Sequence, residues 1–438
     1  MTTRLQRIVD KARSNKKLCF NNLAHHLSSE ALREGIKALP KRTGSGCDGM
    51  TRDEALETFE KWAPNVLSDI HNRGYVPPPV KRVWIPKPGK AEKRPIGVPT
   101  VIDRAVQGAV AKILSQIYEQ DFLPSSFGGR PKLGAHHAVC TLKHVIQSKK
   151  VAWVLECDLK NFFGSLDHGW VERFLLHRVA DPRIVSLVRR WLKAGVLEEG
   201  NLTSVEIGTP QGGSISVLLS NIYLHYVLDL WFEKRVKKGC KGEAHLVRYI
   251  DDFVICCEYK SDATRIQRQL EVRLQEFCLS LEPSKTKLLR FGRFARRDSS
   301  QGSKPATFSF LGFTFCCSLS AEKRYLVQLR TEKKRLNRTL IQLRLEMERI
   351  RHFSLKEQRL ILNAKIRGHY CYFGLGGNVD GLLKVYRYCY KQWRRVLLTR
   401  SQKSNLTWSK YAKLIEHFPL DKPKLVLTYQ QMPSMVRL

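Results

Sequence analysis

Two adjacent carboxylates, Asp251 and Asp252, lie between two short apolar runs near the middle of the chain. The runs, residues 246–248 and 253–257, favour strands and predict a hairpin with both acids at its tip. Neighbouring strand residues point to opposite faces, so only a tight turn would bring both carboxylates to one metal ion. Burying two like charges is costly unless cations neutralise them. The pair therefore indicates either a divalent-metal site for phosphoryl transfer or an ordinary exposed turn.

A third carboxylate favours the metal site. Asp158 follows the apolar, strand-like run of residues 151–157 and precedes Phe162 and Phe163. In a polymerase, carboxylates on neighbouring strands hold two Mg²⁺ ions; one activates the primer 3′-hydroxyl and the other binds the incoming triphosphate. Asp158 at one strand end, together with the acid pair at a hairpin tip, would supply that arrangement.

The sequence around these acids resembles that of reverse transcriptases of the bacterial group II intron lineage. Residues 249–252 read Tyr-Ile-Asp-Asp, which matches the family's Tyr-x-Asp-Asp, and residues 208–213 read Gly-Thr-Pro-Gln-Gly-Gly. Each block is weak alone, but their occurrence in the family order is a strong signal. The further blocks that resemble the family lie at residues 46–51, 84–90, 94–99, 126–131, 281–287, 310–313 and 362–370.

The resemblance implies the composition of the metal site. Asp158, Asp251 and Asp252 would bind two Mg²⁺ ions, for which Mn²⁺ could substitute, and Leu159 would belong to the same site. The reaction would be primer extension with dNTPs on an RNA or DNA template.

The resemblance also implies a set of nucleotide contacts. Lys87 and Arg94 match the triphosphate contacts of the fingers, where Arg suits bidentate phosphate binding and Lys supplies a point charge. Phe163 matches the steric gate, an aromatic ring that leaves no room for a ribose 2′-hydroxyl; ordinary core packing is the alternative. Gln211 matches the residue along the new base pair. Lys285 matches a late palm lysine, whose role is either phosphate contact or structural.

The composition independently indicates a nucleic-acid partner. The chain has 76 Lys and Arg against 40 Asp and Glu, a formal net charge of +36 and a pI of about 9.9. Such a charge favours polyanions, here an RNA and DNA template–primer. No apolar run reaches the roughly 18–20 residues that span a bilayer, and the N-terminus lacks the apolar core of a secretory signal. The twelve cysteines form no Cys-x-x-Cys pair, so we expect buried thiols in a reducing bacterial cytoplasm.

The expected fold class is mixed α/β (α+β), a right-hand polymerase. We expect an N-terminal extension at residues 1–60, fingers and a palm with an antiparallel sheet at 61–320, and an α-helical thumb with a C-terminal tail at 321–438. From residue 321 to 400 the chain is predicted to be helical and basic. The apolar stripe of one long helix there consists of Leu336, Leu340, Leu343, Met347 and Ile350.

The chain departs from the family at several positions. Ile250 stands where intron-encoded members usually carry Ala, and Val217 stands where they usually carry Pro. Tyr249 and Ile250 would lie at the primer terminus, beside the metal acids. We expect no Cys-pair or His-Asn-His nuclease module after Leu438. The departures resemble a free-standing group II intron-like subgroup with a Tyr-Ile-Asp-Asp motif, whose expected role is a host task such as DNA double-strand break repair.

Three other functions remain open from the sequence. An RNA-templated RNA polymerase would use the same carboxylates, although Phe163 argues against it. A maturase would act as an RNA-binding splicing cofactor through the N-terminal and thumb surfaces. A basic binding module with an inactive site is disfavoured because all three acids are present. The oligomeric state is not predicted.

Overall fold

The N-terminal region is helical, and its helix starts are encoded by side-chain caps. The computed structural model describes residues 3–86, 92–198, 201–203, 208, 213–298, 306–320, 322–401 and 405–438. Ser28 accepts a hydrogen bond from the N–H of Ala31, and Thr51 and Glu54 form a reciprocal capping box. The first helices are α1 (Thr3–Ser14), α2 (Ser29–Ala38), α3 (Arg52–Glu57) and α4 (Phe59–His71).

A four-stranded sheet follows, and its leading hairpin is largely exposed. Strands β1 (Val80–Pro86) and β2 (Lys93–Val98) pair antiparallel, and β1 also pairs in parallel with β4 (Val196–Glu198). Strand β5 (Asn201–Thr203) completes the order β2-β1-β4-β5. This sheet corresponds to the predicted fingers.

The central region is mainly helical, and one strand, Trp153–Asp158, lies between its second and third helices in the sequence. These helices are α5 (Val101–Tyr118), α6 (Ala135–Ser148), α7 (His168–Leu176), α8 (Pro182–Leu192) and α9 (Ser216–Leu224). After α9 the chain continues as two short π-helical segments, His225–Asp229 and Phe232–Val236. π-Helical geometry is rare and occurs often at functional sites.

The palm sheet is fully antiparallel, as predicted. It consists of β3 (Trp153–Asp158), β6 (Ala244–Tyr249), β7 (Asp252–Cys257) and β8 (Lys287–Arg290), in the order β6-β7-β3-β8. Helix α10 (Lys260–Glu276) connects β7 to the segment that leads into β8.

Both faces of the palm sheet are covered, because apolar residues of β3 and β7 alternate between two separate cores. Leu155 and Ile255 pack in one core with Leu270 of α10. Val154 and Val254 pack in the other core, with α6 and the C-terminal helices. Cysteines follow the same alternation: Cys157 and Cys257 lie in the first core and Cys256 in the second.

The C-terminal region combines a small sheet with long helices. After α11 (Arg293–Asp298), strands β9 (Thr307–Phe310), β10 (Phe313–Leu319) and β11 (Tyr325–Thr331) form an antiparallel sheet. The helices are α12 (Lys333–Arg349), α13 (Leu355–Phe373), α14 (Val379–Leu398) and α15 (Trp408–His417). None of the helices described is both long and apolar enough to cross a membrane.

The prediction of helix from residue 321 to 400 is wrong at its start and correct over most of its length. Strand β11 occupies Tyr325–Thr331, because its apolar residues alternate toward the second core and pair with β10. The predicted apolar stripe lies on α12, where Leu343 and Met347 are buried and Ile350 is buried just beyond the last turn. The mixed α/β architecture with an antiparallel palm sheet and a helical C-terminal region is confirmed.

Candidate active site

The strand register brings the three predicted acids together at one end of the palm sheet. Asp158, the last residue of β3, is the direct partner of Asp252, the first residue of β7. Directly opposed residues have Cα atoms about 4.5–5.5 Å apart and side chains on the same face. Asp251 immediately precedes Asp252 in the turn that joins β6 to β7. Three carboxylates therefore converge although Asp158 is distant in the sequence.

The acids lie on the sheet face that carries the C-terminal helices. Alternation places Asp158 and Asp252 on the same face as Val154 and Val254, which pack in the second core. Tyr249 pairs with Asp252 and packs against that core. Helix α10 covers the opposite face. The acids therefore lie on the thumb side of the palm sheet, away from α10.

The hairpin turn contains an unusual backbone conformation. Tyr249 and Asp252 are paired, so Ile250 and Asp251 form a two-residue turn, and Ile250 has a φ of 58°. A β-branched residue in the left-handed region is an outlier, with a cost of about 1–2 kcal/mol. The neighbouring backbone is close: a Cβ at Gly128 would lie 2.6 Å from Cγ1 of Ile250. Only glycine allows that approach.

A buried cluster of polar side chains supports this turn from behind. In the Arg248 cluster (Arg248, Asp229, Asn221 and Ser126), the guanidinium donates two hydrogen bonds to Asp229, at 2.8 and 2.6 Å. It donates others to Asn221 at 2.9 Å and Ser126 at 2.8 Å. A fifth, of 3.0 Å, goes to the carbonyl oxygen of Ile250. All five N–H donors of the guanidinium are therefore used. The cluster therefore holds the carbonyl of Ile250, the strained residue that follows β6 and precedes Asp251.

Burial and repulsion between the carboxylates raise the pKa values of Asp251 and Asp252. Burial is the largest cause at Asp251, where Asp158 adds to the rise while Arg94 and Lys285 oppose it. Burial and then the charges of Asp158 and Asp251 raise the pKa of Asp252 to about 7. The three carboxylates thus form an electrostatically strained group that a cation would relieve.

Lys285 already supplies one positive charge to this group. Its ammonium donates a hydrogen bond to Oδ2 of Asp158 and forms an ion pair with it. Burial lowers the pKa of Lys285, but the hydrogen bond and the charge of Asp158 outweigh it and raise the pKa overall. This contact is a structural one, and a phosphate contact of Lys285 stays a prediction.

The donor chemistry fits hard divalent cations, because carboxylate and carbonyl oxygens are the ligands that Mg²⁺ prefers. Within the described residues, however, no group of three or more His, Cys, Asp or Glu side chains is already arranged to hold a metal ion. Leu159 lies next to Asp158 in an isolated bridge with Leu281. The two hydrogen bonds of this bridge use the carbonyl of Asp158 and the N–H of Lys160, and neither uses the carbonyl oxygen of Leu159.

The predicted nucleotide contacts are only partly within the described residues. Arg94, on the exposed β2 strand, is close enough to Asp251 to lower its pKa. Phe163 is half-buried in a short turn after β3, whereas the adjacent Phe162 is fully in the core. Lys87 and Gln211 lie outside the described residues. The structure thus places Arg94 near the acids. It also distinguishes the two phenylalanines, because Phe162 is buried and Phe163 is partly exposed.

Sequence reasoning missed a fourth carboxylate on the sheet face that carries the three Asp residues. Glu156 lies two residues before Asp158 on β3 and therefore points to the same face. Burial raises the pKa of Glu156, and its charge in turn raises that of Asp252. The available signal was the spacing of two residues between Glu156 and Asp158 in an otherwise apolar strand. Arg248, a charged residue inside the apolar run of β6, was a second missed signal.

The thumb contacts the palm close to the acids. The hydroxyl of Tyr372 on α13 donates a 3.0 Å hydrogen bond to the carbonyl of Leu311. Leu311 and Gly312 form the turn between β9 and β10, with φ values of 50° and 80°. The charge of Asp252 contributes to a raised pKa of Tyr372, after the larger effect of burial. This turn and the thumb helix thus form one wall of the site.

Comparisons with known proteins agree with this geometry. A family model described as "Reverse transcriptase (RNA-dependent DNA polymerase)" matches residues 85–315, more than half of the chain. The group II intron-encoded protein LtrA of Lactococcus lactis subsp. cremoris is 32% identical over 231 residues, which cover 52% of this chain and 38% of LtrA. The YkfC protein of Escherichia coli (strain K12) is 32% identical over 273 residues, which cover 56% of this chain and 71% of YkfC.

The matched region contains all three acids, the palm sheet and the fingers hairpin from Ile85 onward. The chain spans less than half of the length of LtrA. With its paired acids, its antiparallel palm sheet and these relatives, the chain belongs to the reverse transcriptase family, among its group II intron-like members.

Proposed function

We propose that this protein extends a primer with dNTPs on an RNA template and, in addition, on a DNA template. The observation that carries the proposal is the direct pairing of Asp158 with Asp252 beside Asp251, on the sheet face that carries the C-terminal helices. In the reaction, the primer 3′-hydroxyl loses its proton to water and its oxygen bonds to the α-phosphorus of the dNTP. The bond from that phosphorus to the α–β bridging oxygen breaks, and pyrophosphate leaves. When bound, two Mg²⁺ ions, or Mn²⁺ in their place, held by the three Asp residues with the Leu159 carbonyl, would activate the 3′-hydroxyl and neutralise the triphosphate.

The protein's own residues bind and orient the substrates. Arg94 and Lys87 bind the triphosphate, and the proximity of Arg94 to Asp251 supports this role. The half-buried ring of Phe163 excludes the ribose 2′-hydroxyl, a role that the core residue Phe162 cannot perform. Gln211 contacts the new base pair.

The primer terminus lies against the hairpin turn in this proposal. Tyr249 and Ile250 contact the terminal nucleotide, and the Arg248 cluster holds that turn in place. Lys285 keeps Asp158 neutralised before substrate binds and contacts phosphate when the triphosphate arrives. Positioning of this kind accounts for a large share of rate enhancement in phosphoryl transfer.

We propose a three-part division with the boundaries expected from the sequence: residues 1–60, 61–320 and 321–438. The last boundary falls in the turn of the hairpin formed by β10 and β11. The thumb would contact the template–primer through basic residues of α12, whose buried face packs against α13 and α14.

The proposed biological role is host DNA double-strand break repair. Its support is local: Ile250 is a bulky, strained residue at the place where a primer terminus would be held. A group II intron maturase is the second candidate, favoured by the likeness to LtrA, which is named as an intron-encoded protein. Co-purification of a specific intron RNA, and faster splicing of that RNA with the protein, would support the maturase.

Single-nucleotide extension tests the polymerase proposal. The purified protein is given a labelled DNA primer on an RNA template, and separately on a DNA template, with Mg²⁺ and one complementary dNTP or rNTP. Extension by the dNTP, with much less by the rNTP, is the expected result. Preferential use of the rNTP would instead indicate an RNA polymerase, and absence of extension with either nucleotide would overturn the proposal.

A further inference from the structure

A basic groove lies on the side of the palm that faces away from the acids. It has a volume of about 750 Å³ and is formed by α10 and by the two π-helical segments. Its charged lining residues are Lys234, Arg235, Arg265, Arg268, Arg273 and Glu276. Five cations and a single carboxylate therefore face one concave surface.

Three of these cations are not neutralised by neighbours. Arg265 forms an ion pair with Asp262 and Arg273 one with Glu276, both at 3.3 Å. Lys234, Arg235 and Arg268 are exposed, and within the described part of the chain their side chains have no ion pair or hydrogen bond. Unpaired, solvated cations that converge on a groove attract a polyanion.

The same groove offers an aromatic surface. Trp231, which lies between the two π-helical segments, is half-buried and lines the groove, and Val272 of α10 is exposed beside it. Bases of single-stranded nucleic acid stack on such side chains while the cations contact the phosphates. An acidic protein surface would bind to the cations alone, whereas a ring beside cations favours a single-stranded nucleic acid.

The groove is separate from the site that contains the acids. Ile266, Leu270 and Leu274 of α10 pack on the sheet face opposite Asp158 and Asp252. The helix layer and the sheet therefore lie between the groove and the acids. We propose that this groove binds an unpaired stretch of polynucleotide at a second site, at the same time as a template–primer occupies the acid-bearing face.

The test measures binding of a fluorescent 15-nucleotide oligouridine to protein already saturated with an unlabelled primer–template. The groove variant carries Lys234→Gln, Arg235→Gln and Arg268→Gln. The matched control carries Lys149→Gln, Lys150→Gln and Lys193→Gln, which removes the same charge from exposed sites outside the groove. The wild type and the control are expected to bind the oligouridine. In the groove variant, the slope of log K against log salt should become smaller in magnitude by about 2, since each of three contacts contributes about 0.7.

A second variant separates base stacking from charge. Trp231→Leu keeps an apolar side chain but removes the ring, and it should weaken oligouridine binding about fivefold or more without changing the salt slope. Groove-variant affinity equal to that of the control would overturn the proposal. So would equal competition by a polyglutamate peptide or by blunt duplex, which would mean that the groove accepts any polyanion. The primer–template affinity, measured in the same samples, reports on the acid-bearing site independently.

Discussion

Replacing Asp229 with Asn is expected to destabilise the protein strongly. The side chains of Asp229 and Arg248 are both 0% exposed, and the guanidinium uses two of its five hydrogen bonds on this carboxylate. Removing the charge of one partner leaves the other buried without compensation, which costs about 3–5 kcal/mol. Typical domains have a total stability of only about 5–15 kcal/mol. The substitution should therefore remove a large part of the free energy of unfolding.

Urea unfolding monitored by tryptophan fluorescence measures this change. The matched control is Glu233→Gln, which weakens an exposed ion pair. In that pair the ammonium of Lys237, four residues after Glu233, lies 2.8 Å from the Glu233 carboxylate. An exposed pair of this type contributes about 0.3–0.5 kcal/mol. A large loss for Asp229→Asn beside a minor loss for Glu233→Gln is the predicted result. A loss below about 1 kcal/mol at Asp229 would refute the reasoning.

A double substitution separates stability from catalytic geometry. Asp229→Leu combined with Arg248→Met removes both charges, so part of the lost stability should return, although Asn221 and Ser126 lose their hydrogen-bond donor. The carbonyl of Ile250 nevertheless loses its donor, at 3.0 Å in the wild type. Primer extension should therefore remain impaired although the protein is folded. Full activity in the double variant would show that the Arg248 cluster does not position the turn.

Three further predictions concern the site itself. Phe163→Ala should raise the ratio of rNTP to dNTP incorporation, measured by single-nucleotide extension; an unchanged ratio would assign Phe163 to packing alone. Ile250→Ala should improve synthesis on a long primed RNA and weaken extension of DNA ends that share only a few complementary bases, and parallel changes in both assays would contradict the proposed specialisation. The pKa of Asp252 is raised from 3.8 to about 7, so without Mg²⁺ the folded state binds a proton that the unfolded state has lost, and stability should fall as pH rises through that interval. Mg²⁺ should then raise the Tm more at about pH 8 than at about pH 5, a difference that Asp252→Asn should abolish.

The sequence predicted the local elements of the site because their signals are local. The apolar runs around Asp251 and Asp252 gave the hairpin, and the run before Asp158 gave β3. Strand β11 was missed although Val327 and Leu329 alternate in burial with their neighbours, since the long helical pattern that follows dominated the interpretation. A period of two was the available signal there.

Other features depend on packing and could not be read from spacing. The contact of Arg248 with Asp229 joins a strand to a π-helical segment, and no periodicity links the two positions. The groove requires α10 and both π-helical segments to lie side by side, and π-helical geometry has no simple sequence signature. The positive φ of Ile250 contradicts the propensity of a β-branched residue, so only the surrounding contacts explain it.

The most direct test of the account is primer extension by Asp251→Asn, measured beside its affinity for the same primer–template. Asp10→Asn, an exposed acid on α1, is the matched control. Extension by Asp251→Asn should be abolished while binding remains close to wild type, because the carboxylate serves the chemistry and basic surfaces serve binding. Extension at a near-normal rate by Asp251→Asn would contradict the assignment of this acid cluster as the polymerase active site.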